Sequence, residues 1–222
     1  MPFDARLQTA WGFACLVQSG DFTLLFDTGG NGDILLANMN TLGVDPAQID
    51  GIALSHQHGD HINGLPALSG LAPQATLYVP RSFSETLKAP YRTPDRLVEV
   101  DGWQEIAPGI FLTGEIGGST VEQALVIEME QGLVVVTGCA HPGIVNIVQH
   151  AREHGEIDLV LGGFHLYDYS AAQVQDVIAE LKALGVRRAA PSHCTGTTAI
   201  ELFRQAFGSD FVQIGAGAVI EP

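Results

Sequence analysis

The stretch SHQHGDH, residues 55–61, contains three histidines and one aspartate within six consecutive positions: His56, His58, Asp60 and His61. It follows the short apolar run GIALS (51–55), which predicts a buried strand. Imidazole nitrogen and carboxylate oxygen are the ligands that a borderline metal such as zinc takes. A histidine-rich loop open to solvent is the alternative interpretation. Four ligand-type residues directly after a buried strand favour a metal site.

The spacing inside this stretch predicts two neighbouring metal positions. Side chains two residues apart on an extended segment point the same way, so His56 and His58 can reach one cation. Asp60 and His61 follow in the turn into the next predicted helix and can face a second cation. Two cations roughly 3.5–4 Å apart can share a hydroxide and stabilise both the attacking and the leaving oxygen. We therefore expect a binuclear site.

Composition limits the functions that the chain can have. The 222 residues are 46% hydrophobic and 16% charged, which predicts a compact globular protein, a single domain over residues 1–222. The net charge of -15 argues against non-specific binding to nucleic acid or to anionic membranes. A small-molecule substrate is expected, and an anionic one is compatible with this charge because bound cations would reverse the local field. The apolar fraction is also compatible with a homodimer.

The sequence predicts a cytoplasmic location. Its start has no basic segment followed by an apolar run and a small-residue cleavage site, and no apolar stretch approaches the length of a membrane span. The cysteines, Cys15, Cys139 and Cys194, form an odd and sparse set, which indicates reduced thiols.

Apolar β-rich runs alternate with helical patterns along the chain, which predicts an α/β fold. Strands are predicted at 12–18, 22–27, 51–55, 75–80, 122–129, 132–138, 156–163 and 188–192. Helices are predicted at 33–43, 62–70, 143–155, 170–185 and 197–208. Residues 81–109 are expected to be the least regular, with a loop or flap at 88–96.

Three further histidines stand where apolar strands stop. VVVTGCAH ends at His141, LVLGGFH ends at His165, and AAPSH ends at His193. Ligands of layered α/β proteins tend to bind at loops beyond strand ends. We therefore expect these imidazoles to lie at a functional edge.

SHQHGDH resembles the H-x-H-x-D-H signature of the metallo-β-lactamase fold superfamily. FDTG (26–29), GCAHPG (138–143) and SHCTG (192–196) resemble its other motifs in the same order, so the resemblance spans almost the whole chain. It implies a four-layer αββα sandwich of two mixed β-sheets with helices outside. Within the superfamily, TGCAHPGIVNIV, GGFHL and SHCTG are similar to the subfamily of 7,8-dihydropterin-6-methyl-4-(β-D-ribofuranosyl)aminobenzene-5′-phosphate synthase-like proteins.

The resemblance also implies roles for individual residues. It assigns a first divalent metal ion to three imidazoles: His56, His58 and His141. It assigns a second ion to one carboxylate and two imidazoles: Asp60, His61 and His193. Asp27 would orient metal ligands by hydrogen bonds. Zinc is the expected metal, and iron, manganese or nickel also suit a histidine-rich set.

One departure from the superfamily pattern concerns the strand DLVLGGFHL. Many hydrolases of the superfamily have a bridging aspartate at the end of this strand, whereas this chain has His165, with Asp168 three residues on. His165 is interpreted as a metal ligand or as an acid that points at substrate. A structural histidine in a turn is the alternative.

Weaker signals surround these motifs. Cys139 and Cys194 each lie within two residues of a predicted ligand, which is compatible with a thiolate ligand or redox control, but both are interpreted as small buried apolar residues. His150 and His154 have the i, i+4 spacing of metal ligands, yet their polar surroundings indicate a surface helix end. The helix start after His193 offers free amides for an anion or has an ordinary cap.

The leading functional hypothesis is a metallo-hydrolase that uses a metal-bound hydroxide on an ester, a phosphoester or a related electrophile. Asp60 would ligate metal and position the water proton, and His165 would protonate a leaving group. A synthase or transferase acting on a pterin precursor is one alternative. A metal-binding protein without catalysis is the other.

Overall fold

The computed structural model describes residues 2–93 and 96–221. Within that range the chain forms two compact units. The first comprises the residues up to Asp101 together with Ala216–Ala218, and the second comprises Gly102–Gly215 together with the residues from Val219 onward. A single domain over residues 1–222 stays a prediction.

The described part of the first unit contains a five-stranded sheet in the order β1-β2-β3-β4-β5. Its strands are β1 (Cys15–Ser19), β2 (Phe22–Phe26), β3 (Gly51–Ala53), β4 (Thr76–Pro80) and β5 (Leu97–Val100). β1 pairs with β2 antiparallel across a two-residue turn in which Gly20 has φ of 57°, and the other neighbours are parallel. The helices of this unit are α1 (Gly32–Leu42), α2 (Gly59–Ile62), α3 (Leu65–Leu68) and α4 (Glu85–Lys88).

Local sequence explains where α1 begins and ends. The Asn31 side chain accepts a hydrogen bond from the backbone N–H of Ile34 and caps the first turn. Gly43 ends the helix in the left-handed conformation with φ of 72°. The predicted helix at 33–43 is therefore confirmed to within a residue.

The predicted helix at 62–70 is wrong in detail, because the chain forms two four-residue helices, α2 and α3. Pro66 lies in the first turn of α3 and has no N–H with which to continue the hydrogen-bond ladder of α2. Gly64, between the helices, passes so close to the backbone that a Cβ would lie 2.0 Å from the carbonyl oxygen of Thr28. Asp60 and His61 therefore lie in the separate short helix α2, which follows soon after β3.

The described part of the second unit contains a six-stranded sheet in the order β11-β10-β9-β8-β7-β6. Its strands are β6 (Gln104–Ala107), β7 (Ile110–Leu112), β8 (Leu125–Met129), β9 (Gly132–Thr137), β10 (Ile157–Gly163) and β11 (Arg188–Ser192). β9, β10 and β11 are parallel, and β6 to β9 are antiparallel. Its helices are α5 (Ile144–Arg152), α6 (Ala171–Ala183) and α7 (Thr197–Phe207).

Each sheet contributes to a core of its own unit. In the first unit apolar residues of β2, β3 and β4 pack with residues of α1 and α3: Leu25, Ile52, Leu77, Met39, Leu65 and Leu68. In the second unit residues of β9 and β10 pack with residues of α5, α6 and α7: Val135, Val160, Ile147, Leu181 and Phe203. Two mixed sheets with helices confirm the predicted α/β class.

Residues 81–109 are more regular than expected, because they contain α4 and the strands β5 and β6. β5 is half-buried over most of its length and β6 has two exposed positions, so neither shows a strong apolar alternation. Residues 94 and 95, within the predicted loop at 88–96, lie outside the described residues. Among the described residues no helix combines the length and the apolar character that crossing a membrane requires.

Candidate metal centre

The first unit places a buried carboxylate at the centre of a hydrogen-bond network. Asp27 follows β2 and Ser55 follows β3, and both side chains are fully buried. The Ser55 backbone N–H donates to Oδ1 of Asp27 at 2.7 Å, and the Ser55 hydroxyl donates to Oδ2 at 2.7 Å. The Nδ1 atom of His61 also lies 2.7 Å from Oδ2 of Asp27. One carboxylate therefore fixes residues from two segments of the chain.

This network sets the orientation of two imidazoles. The Ser55 hydroxyl hydrogen is directed to Asp27, so the Ser55 oxygen accepts from Nδ1 of His56 at 2.9 Å. Nδ1 of His61 is held by Asp27 directly. Both histidines are fully buried, and this orientation places Nε2 of His56 next to His58 and Nε2 of His61 next to Asp60. Metal-bound imidazoles are oriented in this way, by a hydrogen bond to the nitrogen that does not bind the metal.

The remaining donors of SHQHGDH lie beside these rings. Nε2 of His56 lies 3.1 Å from Nδ1 of His58, and two imidazole nitrogens on one tetrahedral ion would be roughly 3.3 Å apart. Nε2 of His61 lies 3.6 Å from Oδ2 of Asp60. His58 is exposed and Asp60 is half-buried. Their donor atoms and spacings fit a divalent metal ion.

The second unit gathers its donors at the carboxyl ends of β9, β10 and β11. A ligand atom from each of Cys139, His141 and His165 lies within 4.8 Å of the other two. The rings of His141 and His165 have centroids 4.2 Å apart and are tilted by 52°. The Cys139 sulfur also lies within 4.8 Å of a ring nitrogen of His193. The three histidines that end apolar runs thus lie at one edge of the sheet.

Glu122 supports this edge, and sequence reasoning did not identify it. The side chain is fully buried just before β8. Its Oε1 accepts from the backbone N–H groups of Cys139 and Ala140, both at 2.9 Å, and its Oε2 accepts from that of His141 at 2.9 Å. Three successive amides on one carboxylate fix the loop that presents His141. The sequence does offer one signal for this role, since Glu122 is a charged residue two positions before the apolar run ALV (124–126).

Backbone strain coincides with the predicted site. Among the described residues, positive φ outside glycine occurs at four positions: Asp27 (58°), Ala140 (62°), His165 (53°) and His193 (49°). Each is a predicted site residue or adjoins one. Such conformations cost free energy and cluster at functional sites, where surrounding contacts maintain them. This finding favours a functional role for His165 over a purely structural one.

Two threonines connect the strand ends of the second unit. The Thr137 hydroxyl donates to the carbonyl oxygen of Gly163 at 2.8 Å. The Thr195 hydroxyl donates to the carbonyl oxygen of Ser192 at 2.6 Å and accepts from the N–H of Phe164 at 3.0 Å. These bonds hold the two residues that precede His165 to the end of β9, before the His141 loop, and to the His193 loop.

Some weaker predictions receive a clear placement. His154 is exposed, as predicted, with its ring stacked on Trp103 at 3.6 Å between centroids, and His150 is half-buried. Gly196 precedes α7, and no side chain caps that helix. Asp168 is exposed.

The structure brings the predicted site residues together within each unit. In the first unit the network joins Asp27, His56 and His61, with His58 and Asp60 adjacent. In the second unit the cluster joins His141 and His165, with His193 close to the sulfur of Cys139. The assignment of these residues to two metal ions stays a prediction.

Comparison with known proteins gives a family and relatives. The model of the metallo-beta-lactamase superfamily matches residues 12–193. The 7,8-dihydropterin-6-methyl-4-(beta-D-ribofuranosyl)-aminobenzene-5'-phosphate synthase of Methanocaldococcus jannaschii is 31% identical over 89% of this chain and 84% of its own length. The crystal structure of Tm1679, a metal-dependent hydrolase of the beta-lactamase superfamily, has a TM-score of 0.81 at 28% identity over 99% of this chain and 94% of that one. The metallo-beta-lactamase fold protein YhfI from Bacillus subtilis has a TM-score of 0.70 at 17% identity over 93% of this chain and 90% of that one. This likeness shows the fold alone.

Proposed function

Because the chain belongs to the metallo-beta-lactamase superfamily, we propose that it is a metal-dependent hydrolase that acts on a phosphoester or a related small molecule. The hydrogen-bond network around Asp27 is the observation that carries this proposal. It orients two buried imidazoles, so that Nε2 of His56 lies 3.1 Å from Nδ1 of His58 and Nε2 of His61 lies 3.6 Å from Oδ2 of Asp60. A structural role alone does not require two imidazoles to be oriented in this way by one carboxylate.

The proposed centre is binuclear and takes divalent ions, zinc first, with iron, manganese and nickel as alternatives. One ion would be held by His56, His58 and His141. The other would be held by Asp60, His61 and His193. When bound, such ions lower the pKa of coordinated water and stabilise negative charge that develops on the substrate.

The protein's own residues would bind, orient and move protons around that chemistry. Asp60 is half-buried, so its carboxylate can both contribute a ligand oxygen and accept or position the proton of the attacking water. His165 is half-buried beside His141 and would protonate the leaving oxygen. Tyr167 meets the His165 ring edge-on, with centroids 5.4 Å apart, and restricts its orientation.

A second candidate function is a synthase or transferase acting on a pterin-related ribosyl phosphate. The 31% identity to the archaeal synthase over most of both chains favours it. The likeness to Tm1679 favours hydrolysis instead. Because similar folds and sites support different reactions, a turnover measurement is required to separate the two candidates.

The test is hydrolysis of bis(p-nitrophenyl) phosphate by the full chain, reconstituted with zinc and measured with and without a chelator. We expect turnover that the chelator abolishes and that Asp60→Ala lowers by roughly 100-fold or more. Asp33→Ala, at an exposed position in the first turn of α1, is the matched control and should leave the rate unchanged. No turnover from a folded, metal-loaded protein would overturn the phosphodiesterase proposal and favour the synthase.

A further inference from the structure

We propose that Cys139 is a thiolate metal ligand and that it acts together with His141 and His165 on a thiophilic divalent ion. This inference deepens the proposed function, since it rests on a bound metal: it adds Cys139 to the ion that His141 would hold, and it makes His165 a ligand of that ion in place of the leaving-group acid. The superfamily resemblance assigns neither Cys139 nor His165 to a metal. Sequence reasoning interpreted Cys139 as a small apolar residue of the core.

The position of the Cys139 sulfur carries the proposal. It lies within 4.8 Å of ligand atoms of His141 and His165 and, separately, of a ring nitrogen of His193. A sulfur that served only as core packing would be surrounded by apolar groups, yet this one lies among three imidazoles. Thiolate and imidazole together are a donor set typical of zinc sites.

The backbone around Cys139 is fixed in a way that suits a ligand. Its N–H is bound by the buried carboxylate of Glu122, and the following residue, Ala140, is held at φ of 62°. His141 is held through its own N–H by the same carboxylate. The sulfur and the first imidazole are therefore positioned by one rigid group.

His165 completes the set through its own strained conformation. Its φ of 53° turns the chain at the end of β10, and its ring lies 4.2 Å from that of His141. His141 and His165 are half-buried while Cys139 is buried, so an ion can approach from the imidazole side and reach the sulfur last.

The chemistry of binding balances simply. The sulfur–hydrogen bond breaks, a sulfur–metal bond forms, and the proton passes to solvent, as metal binding to thiols requires. The thiolate would supply negative charge beside the imidazoles of His141, His165 and His193. A soft sulfur donor favours zinc, iron, cobalt or nickel over magnesium and calcium, which prefer oxygen.

Cobalt substitution tests the proposal without reliance on turnover. The full chain is freed of metal, loaded with Co²⁺ under argon, and its near-ultraviolet absorption is recorded. A thiolate on cobalt gives an intense sulfur-to-metal charge-transfer band that imidazole and carboxylate ligands do not give. We expect this band in the parent protein and its loss in Cys139→Ser.

Matched variants keep the result interpretable. Cys194 is as buried as Cys139, but its sulfur is directed at the Cys139 carbonyl oxygen, so Cys194→Ser should retain the band. The double variant Cys15→Ser/Cys194→Ser leaves Cys139 as the single thiol and should also retain it, even if Cys139→Ser fails to fold. Loss of a residue that only hydrogen-bonds to a metal ligand typically weakens metal affinity by roughly 10–100-fold. His165→Ala, which removes a ligand, should weaken cobalt affinity by at least that much.

The outcomes separate this proposal from the proposed function. Cobalt bound in stoichiometric amount without a charge-transfer band would overturn the assignment of Cys139 and leave hydrolysis untouched. A band in the parent without turnover on any phosphoester would support the ligand set and weigh against the hydrolase. A folded protein that binds no cobalt would overturn both.

Discussion

Nδ1 of His61 lies 2.7 Å from Oδ2 of Asp27, and both side chains are fully excluded from solvent. The two residues are 34 positions apart in the chain and stand after different strands. The same carboxylate orients His56 through the Ser55 hydroxyl. Asp27 thus positions two predicted ligands, although it need not bind metal itself.

Replacement of Asp27 by asparagine should weaken zinc binding by roughly 10–100-fold, because such a group orients ligands and sets their protonation. Competition with a chromogenic chelator measures the affinity. Thr28→Ser, which keeps the hydroxyl donated to the His61 carbonyl oxygen at 2.9 Å, serves as the control in the adjacent position. Unchanged affinity in folded Asp27→Asn would contradict the positioning role.

Glu122→Gln should destabilise the protein by about 2–4 kcal/mol, because hydrogen bonds to a charged acceptor are strong. In addition, the NH2 group of the glutamine side chain would point at one of the three backbone N–H groups that now donate to the carboxylate, and two donors cannot bond to each other. Denaturation by urea should show a lower midpoint with an unchanged slope. Glu128→Gln, at an exposed position of β8, should lie within about 0.5 kcal/mol of the parent. Equal midpoints for the two variants would argue against a carboxylate that organises the His141 loop.

The stability of the first unit should depend on pH through Glu99 and Lys88, whose Oε1 and Nζ atoms lie 2.9 Å apart. The hydrogen bond from Lys88 lowers the pKa of Glu99, and the hydrogen bond to Glu99 raises the pKa of Lys88. The lowered carboxyl pKa stabilises the fold above the ordinary value of 4.5, and this contribution is lost as the pH falls through the folded-state pKa. The raised lysine pKa contributes fully below 10.5 and is lost as the pH rises through its folded-state value.

Midpoints of urea unfolding recorded across the acidic pH range check the predicted effect of Glu99. The parent should progressively lose its advantage over Glu99→Gln as the pH falls from 4.5 through the lowered folded-state pKa, where the folded carboxylate becomes protonated. Glu153→Gln, at an exposed position after α5, is the control, and its urea midpoint should change with pH in parallel with that of the parent. If the urea midpoints of the parent and of Glu99→Gln differ by a constant amount over that pH range, the Glu99–Lys88 ion pair is not the source of the pH dependence.

Gly162→Ala should destabilise the protein by about 3 kcal/mol or more, because a Cβ there would lie 2.0 Å from the carbonyl oxygen of Thr137 at φ of 117°. Gly208→Ala separates steric overlap from backbone strain. Gly208 also has positive φ, but nothing lies within 4 Å of its Cβ position, so only the backbone strain of φ 56° and ψ -116° remains, which should cost about 1–3 kcal/mol. Thermal unfolding of both variants gives the comparison, and equal losses would exclude the overlap as a cause.

The sequence predicted those parts of the site whose residues are adjacent in the chain. SHQHGDH has its donors within one segment, and His141, His165 and His193 each follow a run with a clear strand pattern. Asp27 came from motif resemblance. Glu122 was not predicted because its partners begin 17 positions away, and their amides carry no side-chain signal.

The same limit explains the errors in secondary structure. The apolar pattern of residues 62–70 suggested one helix, but Pro66 and the close approach at Gly64 divide it. β5 and β6 were missed because only Val100 among their residues is buried, so the sequence shows little alternation there. Strands and helices with a strongly buried face, such as β10 and α6, were predicted to within a residue or two.

The left-handed backbone of Ala140 has a consequence for laboratory evolution. A non-glycine residue in this conformation costs the folded state roughly 1–2 kcal/mol, which glycine would relieve. Selection for heat resistance alone should therefore enrich glycine at this position, whereas selection for tight metal retention should favour alanine, which restricts the loop between Cys139 and His141. If a library randomised at position 140 yields glycine under the first selection and alanine under the second, the trade-off between stability and metal retention lies in this single residue.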